Sequence, residues 1–321
     1  MIIEPREMAN KLRRAFEQET GTKNRHISFP SKYEVALIDK NTLRLHSPLP
    51  GPFQNMQHDE NAIDAWALVL NRWLSYKIEI SIAMPSGKET PAQLRHFNRL
   101  VYRLARLRQL PSFSFSESLK ERFSQAPFVS YSKSLFVNFG DSDLRNSRQS
   151  PPILSSEDDL ELFFFHNPNF LKSLTSFQSI HRQLPVGLFQ DQVAKGNNLF
   201  PAKKSAIDLI LKSENNVSVI ELKKPNNRGV GHLSELLFYC YFVEDISLGR
   251  IMETASNPLI PEKSIIKGCF LLGNGSKHPL LDSSLLKTAG ENLLRSKNPI
   301  TTYYYEFNNG SKSCQMTQES V

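Results

Sequence analysis

A pair of strand-like runs joined by a short polar turn constrains the fold of this chain more than any other feature. The runs are SAIDLILK at 205–212 and VSVIELKK at 217–224, and the segment SENN lies between them. Apolar and β-branched residues on both sides of a short polar segment predict a β-hairpin. Pro225 follows the second run directly, so we expect the second strand to end there.

Three charged residues stand in this hairpin where a buried strand should be apolar. Asp208 lies within the first run, and Glu221 and Lys223 close the second. Because side chains alternate along a strand, Glu221 and Lys223 face the same side, and antiparallel pairing brings Asp208 beside them. Carboxylates on a half-buried sheet are costly unless a cation lies between them. Oxygen ligands of this kind suit Mg²⁺, or Mn²⁺ in its place.

A metal site here would activate water for attack on phosphorus, and Lys223 would orient that water or neutralise charge on the phosphate. The alternative is a hairpin in which the aspartate and the lysine form only an ion pair. The surrounding pattern favours the metal site. An acid-rich helix is predicted from Ser155 or Ser156 onward, then the two strands, then a helix at 232–243 and a strand at 263–274.

At residues 155–243 this pattern resembles the PD-(D/E)XK nuclease superfamily. More specifically, it resembles the nuclease domains of the single-strand and mismatch-directed endonucleases of archaea and actinobacteria, and the related nuclease domain of Shedu-type phage defence proteins. The matching features, in chain order, are Ser156-Glu157, Asn167-Pro168, Asp208, Glu221-Leu222-Lys223, Glu235 and Tyr239. Ile207 stands where many members of the superfamily have proline, and Glu235 replaces the more usual glutamine.

The resemblance implies a role for each matching residue. Asp208 and Glu221 would hold the metal, Glu157 would contact it or its waters, and Lys223 would assist the nucleophile. Glu235 would act through a water or a DNA phosphate, and Tyr239 would contact nucleic acid. For Glu157 the alternative is helix capping, and for Tyr239 it is core packing.

The resemblance also implies the fold class, an α/β protein with a C-terminal restriction-endonuclease-like mixed sheet flanked by helices. Before it we expect an N-terminal α+β domain at 1–139 for recognition of substrate or partner, with helices at 5–20, 59–74 and 91–108 and a strand at 76–84. A Ser-, Asp- and Pro-rich linker at 140–153 would separate the two domains. The nuclease domain would cover 154–307, and the polar tail at 308–321 is expected to be disordered.

The charge distribution suggests a polyanionic partner. The formal net charge is +7, and all of this excess lies in residues 1–150. On the predicted helix at 91–108, four arginines are spaced to form a row that could follow a phosphate backbone: Arg95, Arg99, Arg103 and Arg106. Lys224 and Arg228, beside the expected cleft, could also bind nucleic acid. The alternatives are a solubilising charge and an arginine face that pairs with acids from elsewhere.

Other functional classes lack their signals. The sequence has no apolar run of the roughly 20 residues that span a bilayer, no apolar signal core, no P-loop and no GxGxxG. Its three cysteines show no CxxC spacing, which argues against zinc and for a reducing compartment. We therefore expect a cytoplasmic protein.

The expected function is a Mg²⁺- or Mn²⁺-dependent endonuclease that hydrolyses DNA phosphodiester bonds in prokaryotic antiviral defence or restriction. Two alternatives stay open: an RNA-cleaving enzyme of the same fold, and a catalytically inactive module that binds nucleic acid or protein. Assembly into a homo-oligomer is expected by analogy with nucleases that cut both strands.

Overall fold

A computed structural model describes residues 1–140, 156–202, 205–307 and 314–319. Over these residues the protein is an α/β protein with three mixed sheets flanked by helices. Contacts divide the chain into two compact units. The first unit contains Met1–Ser132, Gly229–Glu235 and His278–Leu285, and the second contains Lys133–Arg228, Leu236–Lys277 and Leu286–Val321. Of the linker predicted at 140–153, all but Gly140 lies outside the described residues.

The first unit is built on a five-stranded sheet with the order β1-β2-β3-β4-β5. Its elements are β1 (Ile2–Ile3), α1 (Pro5–Thr20), β2 (Glu34–Asp39), β3 (Thr42–Ser47), α2 (Ile63–Leu74), β4 (Lys77–Ile82), α3 (Pro91–Arg106), β5 (Phe113–Phe115), α4 (Glu117–Gln125) and α5 (Pro127–Ser130). The helices predicted at 5–20 and 91–108 and the strand at 76–84 are confirmed to within two residues. The helix predicted at 59–74 begins as a 3₁₀ turn at Asp59–Asn61 and becomes α-helical at Ile63.

Alternation along β4 shows how the sequence specifies this sheet. Ile78, Ile80 and Ile82 are buried, whereas Glu79 and Ser81 on the other face are half-exposed. β4 pairs in parallel with β3 and β5, and β1, β2 and β3 pair antiparallel. One face of the sheet therefore belongs to the core, and the other carries polar side chains.

The second unit contains a six-stranded sheet with the order β14-β13-β12-β10-β9-β7 and a three-stranded sheet with the order β11-β6-β8. Its elements are β6 (Leu135–Val137), α6 (Glu157–His166), β7 (Ser179–Pro185), β8 (Leu188–Gln190), β9 (Ala206–Lys212), β10 (Asn216–Lys223), α7 (Gly231–Ser247), β11 (Met252–Glu253), β12 (Ile265–Gly273), α8 (Ser283–Leu293), β13 (Thr301–Phe307) and β14 (Cys314–Gln318). Of these, α7 and α8 begin in segments assigned to the first unit.

β10 lies inside the six-stranded sheet, antiparallel to β9 and parallel to β12. On one face, Phe163 and Phe164 of α6 share an apolar core with Leu209, Ile220 and Leu222 of the hairpin. On the other face the sheet meets α7 closely. A Cβ added at Gly268 would lie 3.1 Å from the Sγ of Cys240 on that helix, so a side chain here would need the helix or the thiol to shift by a few tenths of an ångström. Both faces of β10 are therefore covered, as its nearly continuous apolar sequence predicts.

The C-terminal segment corrects one expectation. Residues 314–318, predicted to lie in a disordered tail, form the edge strand β14 and pair antiparallel with β13. Backbone hydrogen bonds to an existing edge make this strand, so a polar sequence is no obstacle. Residues 308–313 and 320–321 of the predicted tail lie outside the described residues. Within the described part of the chain, no helix is both long and apolar enough to cross a membrane.

Candidate active site

The predicted hairpin is present, and it gathers the charged residues at one end of the six-stranded sheet. Ile220 of β10 pairs with Leu209 of β9. The next pair in this register is Glu221 opposite Asp208. Residues opposite each other in antiparallel strands point to the same face, and Lys223 follows Glu221 on that face two residues later.

Asp208 is held by the backbone of the neighbouring strand. Its Oδ2 accepts a hydrogen bond from the amide of Leu222 at 2.8 Å. The side chain is half-buried, and a charge-assisted bond from a backbone N–H fixes the direction in which the carboxylate points. The aspartate thus ties the two strands together at the position where the polar residues meet.

Glu221 and Lys223 form a buried ion pair. The residues are 1% and 3% exposed, and the Nζ of Lys223 lies 2.6 Å from the Oε1 of Glu221. The hydroxyl of Tyr305 donates to the backbone carbonyl of Lys223 at 3.1 Å. Two charges at this depth are tolerable only because each compensates the other.

Helix α6 adds a further carboxylate. Its first turn is fixed by a capping box, in which the hydroxyl of Ser156 accepts from the amide of Asp159 and the Asp159 carboxylate accepts from the amide of Ser156. This start places the Oε2 of Glu157 at 3.6 Å from the Nζ of Lys223. The Glu157 carboxylate also accepts from the side-chain amide of Asn227 at 2.6 Å. Its role is therefore not limited to capping, which Ser156 provides.

Glu161, which the sequence analysis did not select, belongs to the same cluster. It lies one helical turn after Glu157, is 4% exposed, accepts from the side-chain amide of Gln183 and pairs with the Nε of Arg182 at 3.4 Å. Burial, followed by the negative charge of Asp208, raises the pKa of the Glu161 carboxyl to about 8. The available signal was the i,i+4 spacing of Glu157 and Glu161, which places Glu161 one turn beyond the acidic start of the helix and among apolar residues.

The backbone of β7 is strained beside this cluster. Gln183 has a φ of 54°, in the left-handed region that residues other than glycine rarely adopt. The residue before it, Arg182, pairs with Leu209, so Gln183 stands next to Asp208 on the neighbouring strand. Strain of about 1–3 kcal/mol in such a position persists where the surroundings enforce it. Here it directs the Gln183 amide to Glu161.

The arginine row of α3 does not form an exposed cationic surface. The structure buries two of the four arginines, Arg99 and Arg103, each 1% exposed. The guanidinium of Arg103 lies 3.3 Å from the Oδ1 of Asp64 on α2 and donates to the Oδ1 of Asn61 at 2.7 Å. The prediction that these two residues follow a phosphate backbone is wrong. The alternative of pairing with acids from elsewhere describes Arg103, whereas Arg99 donates to the Oδ1 of Asn55 at 2.9 Å.

The outer members of the row are half-buried. Arg106 donates to the hydroxyls of Tyr102 at 3.2 Å and of Tyr131 at 3.4 Å, and its guanidinium lies over the Tyr102 ring. Arg95 is likewise half-buried. A continuous cationic stripe is therefore absent from α3.

Two predicted residues of α7 are also buried. Glu235 is 1% exposed and belongs to a segment of the first unit. Tyr239 is 4% exposed and its ring lies 5.5 Å from that of Phe238. Core packing, the alternative given for Tyr239, describes its position. The prediction that Tyr239 contacts nucleic acid directly is therefore wrong.

Lys224 and Arg228 are exposed in the loop that follows β10. The carbonyl of Lys224 accepts from the hydroxyl of Ser276 at 2.5 Å, and the Nε of Arg228 donates to the carbonyl of Gly275. The loop after β12 therefore braces the loop that carries both cations. This places two accessible positive charges directly after Lys223.

The residues of the site fit a hard cation by chemistry, since the donors are carboxylate oxygens at the end of a sheet. In the structure, however, Lys223 contacts both Glu221 and Glu157. Among the described residues, no group of three or more His, Cys, Asp or Glu side chains has the arrangement of a metal centre. A search of protein-family models, curated proteins and solved structures finds no match to this chain.

Proposed function

We propose that this protein is a divalent-metal-dependent endonuclease of the PD-(D/E)XK type that hydrolyses DNA, with a role in prokaryotic antiviral defence or restriction. One observation carries the proposal. Asp208, Glu221 and Lys223 share one face at the end of a paired hairpin, and Glu157 reaches the same lysine from a helix. This arrangement supports the restriction-endonuclease-like interpretation of the sheet.

In this proposal Asp208, Glu221 and Glu157 hold Mg²⁺ or Mn²⁺. The metal, when bound, makes water a better nucleophile and withdraws charge from the phosphate. The protein contributes the rest through position. The Leu222 amide fixes the Asp208 carboxylate, and the two glutamates keep the Lys223 ammonium at the site, where it can donate to the incoming water or to a phosphate oxygen.

Substrate binding in this proposal uses the exposed cations after β10. Lys224 and Arg228 follow the site directly and are accessible to a phosphate backbone. The buried arginines of α3 contribute to the stability of the first unit and not to this surface.

The experiment is cleavage of supercoiled, linear and single-stranded DNA, and of RNA, with and without Mg²⁺ or Mn²⁺. Glu221→Gln should abolish the metal-dependent cleavage, because it removes a carboxylate of the site. The matched control is Glu214→Gln in the exposed turn of the same hairpin, which should cut at the wild-type rate. Cleavage by Glu221→Gln at the rate of this control would refute the assignment. Cleavage of RNA and not of DNA would show that the substrate is RNA.

The second candidate is a non-catalytic module, and one observation favours it. The Lys223 ammonium contacts both Glu221 and Glu157, and among the residues that the structure describes no three acids are arranged as a metal centre. Calorimetric titration with Mn²⁺ separates the two candidates, because a nuclease should show a binding site that Asp208→Asn weakens. Wild-type protein without such a site would support the module.

A further inference from the structure

A cavity lies on one face of the six-stranded sheet, away from the candidate active site. Its volume is about 230 Å³, and Ser218, Ile220 and Lys267 are among its lining residues. Because side chains alternate along β10, Ser218 and Ile220 point to the face opposite to Glu221 and Lys223. The cavity and the candidate active site are therefore separate places in the same unit.

The floor of the cavity is polar where the core of a sheet should be apolar. Ser218 is 6% exposed and stands directly opposite Lys267 on the parallel neighbour β12. Within the described residues, neither the Ser218 hydroxyl nor the Lys267 ammonium has a hydrogen-bonding or charged partner. A hydroxyl and an ammonium without protein partners, side by side on the floor of a cavity, keep their hydrogen-bonding capacity for a bound group.

The walls of the cavity are mainly apolar. Leu174, Leu211 and the ring of Tyr303 contribute to them. The hydroxyl of Tyr303 donates to the carbonyl of Leu174 at 3.4 Å, which joins the sheet to the segment that covers the cavity. Walls of this kind accept a flat or aliphatic body, and Ser218 and Lys267 lie opposite each other on neighbouring strands at the floor.

The volume sets the size of a ligand. A cavity of about 150 Å³ is known to hold benzene, whereas sites for larger metabolites run from about 300 Å³ upward. At about 230 Å³ this cavity has room for a ring-sized body and one small charged group. The positive charge of Lys267 selects an anionic group, and the Ser218 hydroxyl adds a donor to it.

We propose that this cavity is a binding site for a small carboxylate with a ring-sized apolar body, whose carboxylate group contacts Lys267 and Ser218. This inference does not depend on the nuclease assignment, since no residue of the cavity belongs to the candidate active site.

The probe is benzoate, with benzyl alcohol as its uncharged counterpart of similar size. Binding of both to the full chain is measured by calorimetry and by the chemical shifts of the ligand. We expect benzoate to bind more tightly than benzyl alcohol. Lys267→Met, which keeps the length of the side chain, should weaken benzoate about tenfold, as expected for loss of a charged hydrogen bond, and should leave benzyl alcohol within about twofold.

Two further variants complete the test. Lys287→Met, at an exposed position of α8, should bind benzoate as the wild type does. Ser218→Val removes the hydroxyl and takes up space, so it should weaken both probes, and far-UV circular dichroism verifies that each variant is folded. Absence of benzoate binding to the wild type, equal affinities for the two probes, or unchanged benzoate affinity in Lys267→Met would each overturn the proposal.

Discussion

The buried ion pair at the candidate site makes a quantitative prediction about stability. Lys223→Met leaves the Glu221 carboxylate 1% exposed and without the ammonium that lies 2.6 Å from it. Removing one partner of a buried pair costs about 3–5 kcal/mol. For a unit of this size each kcal/mol lowers the melting temperature by about 2–4 °C, so we expect a decrease of roughly 6–20 °C.

A double variant measures how much of this cost comes from the interaction between Glu221 and Lys223. Glu221→Gln alone leaves Lys223 with Glu157 at 3.6 Å, so its cost should be smaller, about 1–3 kcal/mol. Glu221→Gln/Lys223→Met removes both charges and should cost less than the two single changes added together, by about 1–3 kcal/mol.

The measurement is thermal unfolding followed by circular dichroism and calorimetry. Lys195→Met, at an exposed position of the same unit, is the control and should change stability by no more than about 0.5 kcal/mol. Additive losses in the double variant would refute the reasoning, because they would mean that the two side chains act independently.

The same unfolding measurements in the presence of Mg²⁺ test whether the carboxylates bind a metal. If the carboxylates form a metal site, removal of the competing ammonium should let Mg²⁺ stabilise Lys223→Met by about 2.7 kcal/mol at one hundred times its dissociation constant. The double variant, which lacks one carboxylate, should gain less. Equal effects of Mg²⁺ on both variants would contradict a shared site.

The remaining predictions concern pH, the first unit and nucleic acid. The pKa of Glu161 is raised from 4.5 to about 8 in the folded state, so between these two pH values the folded state holds a proton that the unfolded state has lost. The free energy of unfolding should therefore fall as pH rises from about 4.5 to 8. Glu161→Gln should flatten this decline when unfolding is measured across that pH range. Arg103→Met should destabilise the chain by about 3–5 kcal/mol, because it removes the cation that lies 3.3 Å from the buried carboxylate of Asp64. Arg95→Ala should change the free energy of unfolding in urea by no more than about 0.5 kcal/mol. If DNA is the substrate, Lys224→Ala/Arg228→Ala should reduce the slope of log affinity against log salt by about 2, and an unchanged slope would remove both residues from the interface.

The hairpin was predictable because its signal is local. Alternation of apolar residues, the SENN turn and Pro225 specify two paired strands, and strand periodicity alone places Glu221 and Lys223 on one face. The Ser156 cap and the acids after it mark the start of α6 in the same way. These patterns need no knowledge of the rest of the fold.

The arginines of α3 show where such patterns end. Spacing defines a cationic face, but it does not say what covers that face. The cover is α2, whose Asp64 and the preceding Asn61 take up Arg103. Glu161 was missed for a related reason, since its importance comes from Asp208 and Gln183, which are distant in sequence. The backbone conformation of Gln183 has no signature in the sequence.

The hydrogen bond between Asp208 and the Leu222 amide decides how this aspartate should be studied. Asp208→Ala would remove both the negative charge and the hydrogen bond between the adjacent strands. A loss of activity could then come from a less stable hairpin. Asparagine keeps an oxygen that the amide can reach and discards only the charge. Comparison of the two replacements therefore separates architecture from chemistry at a single side chain.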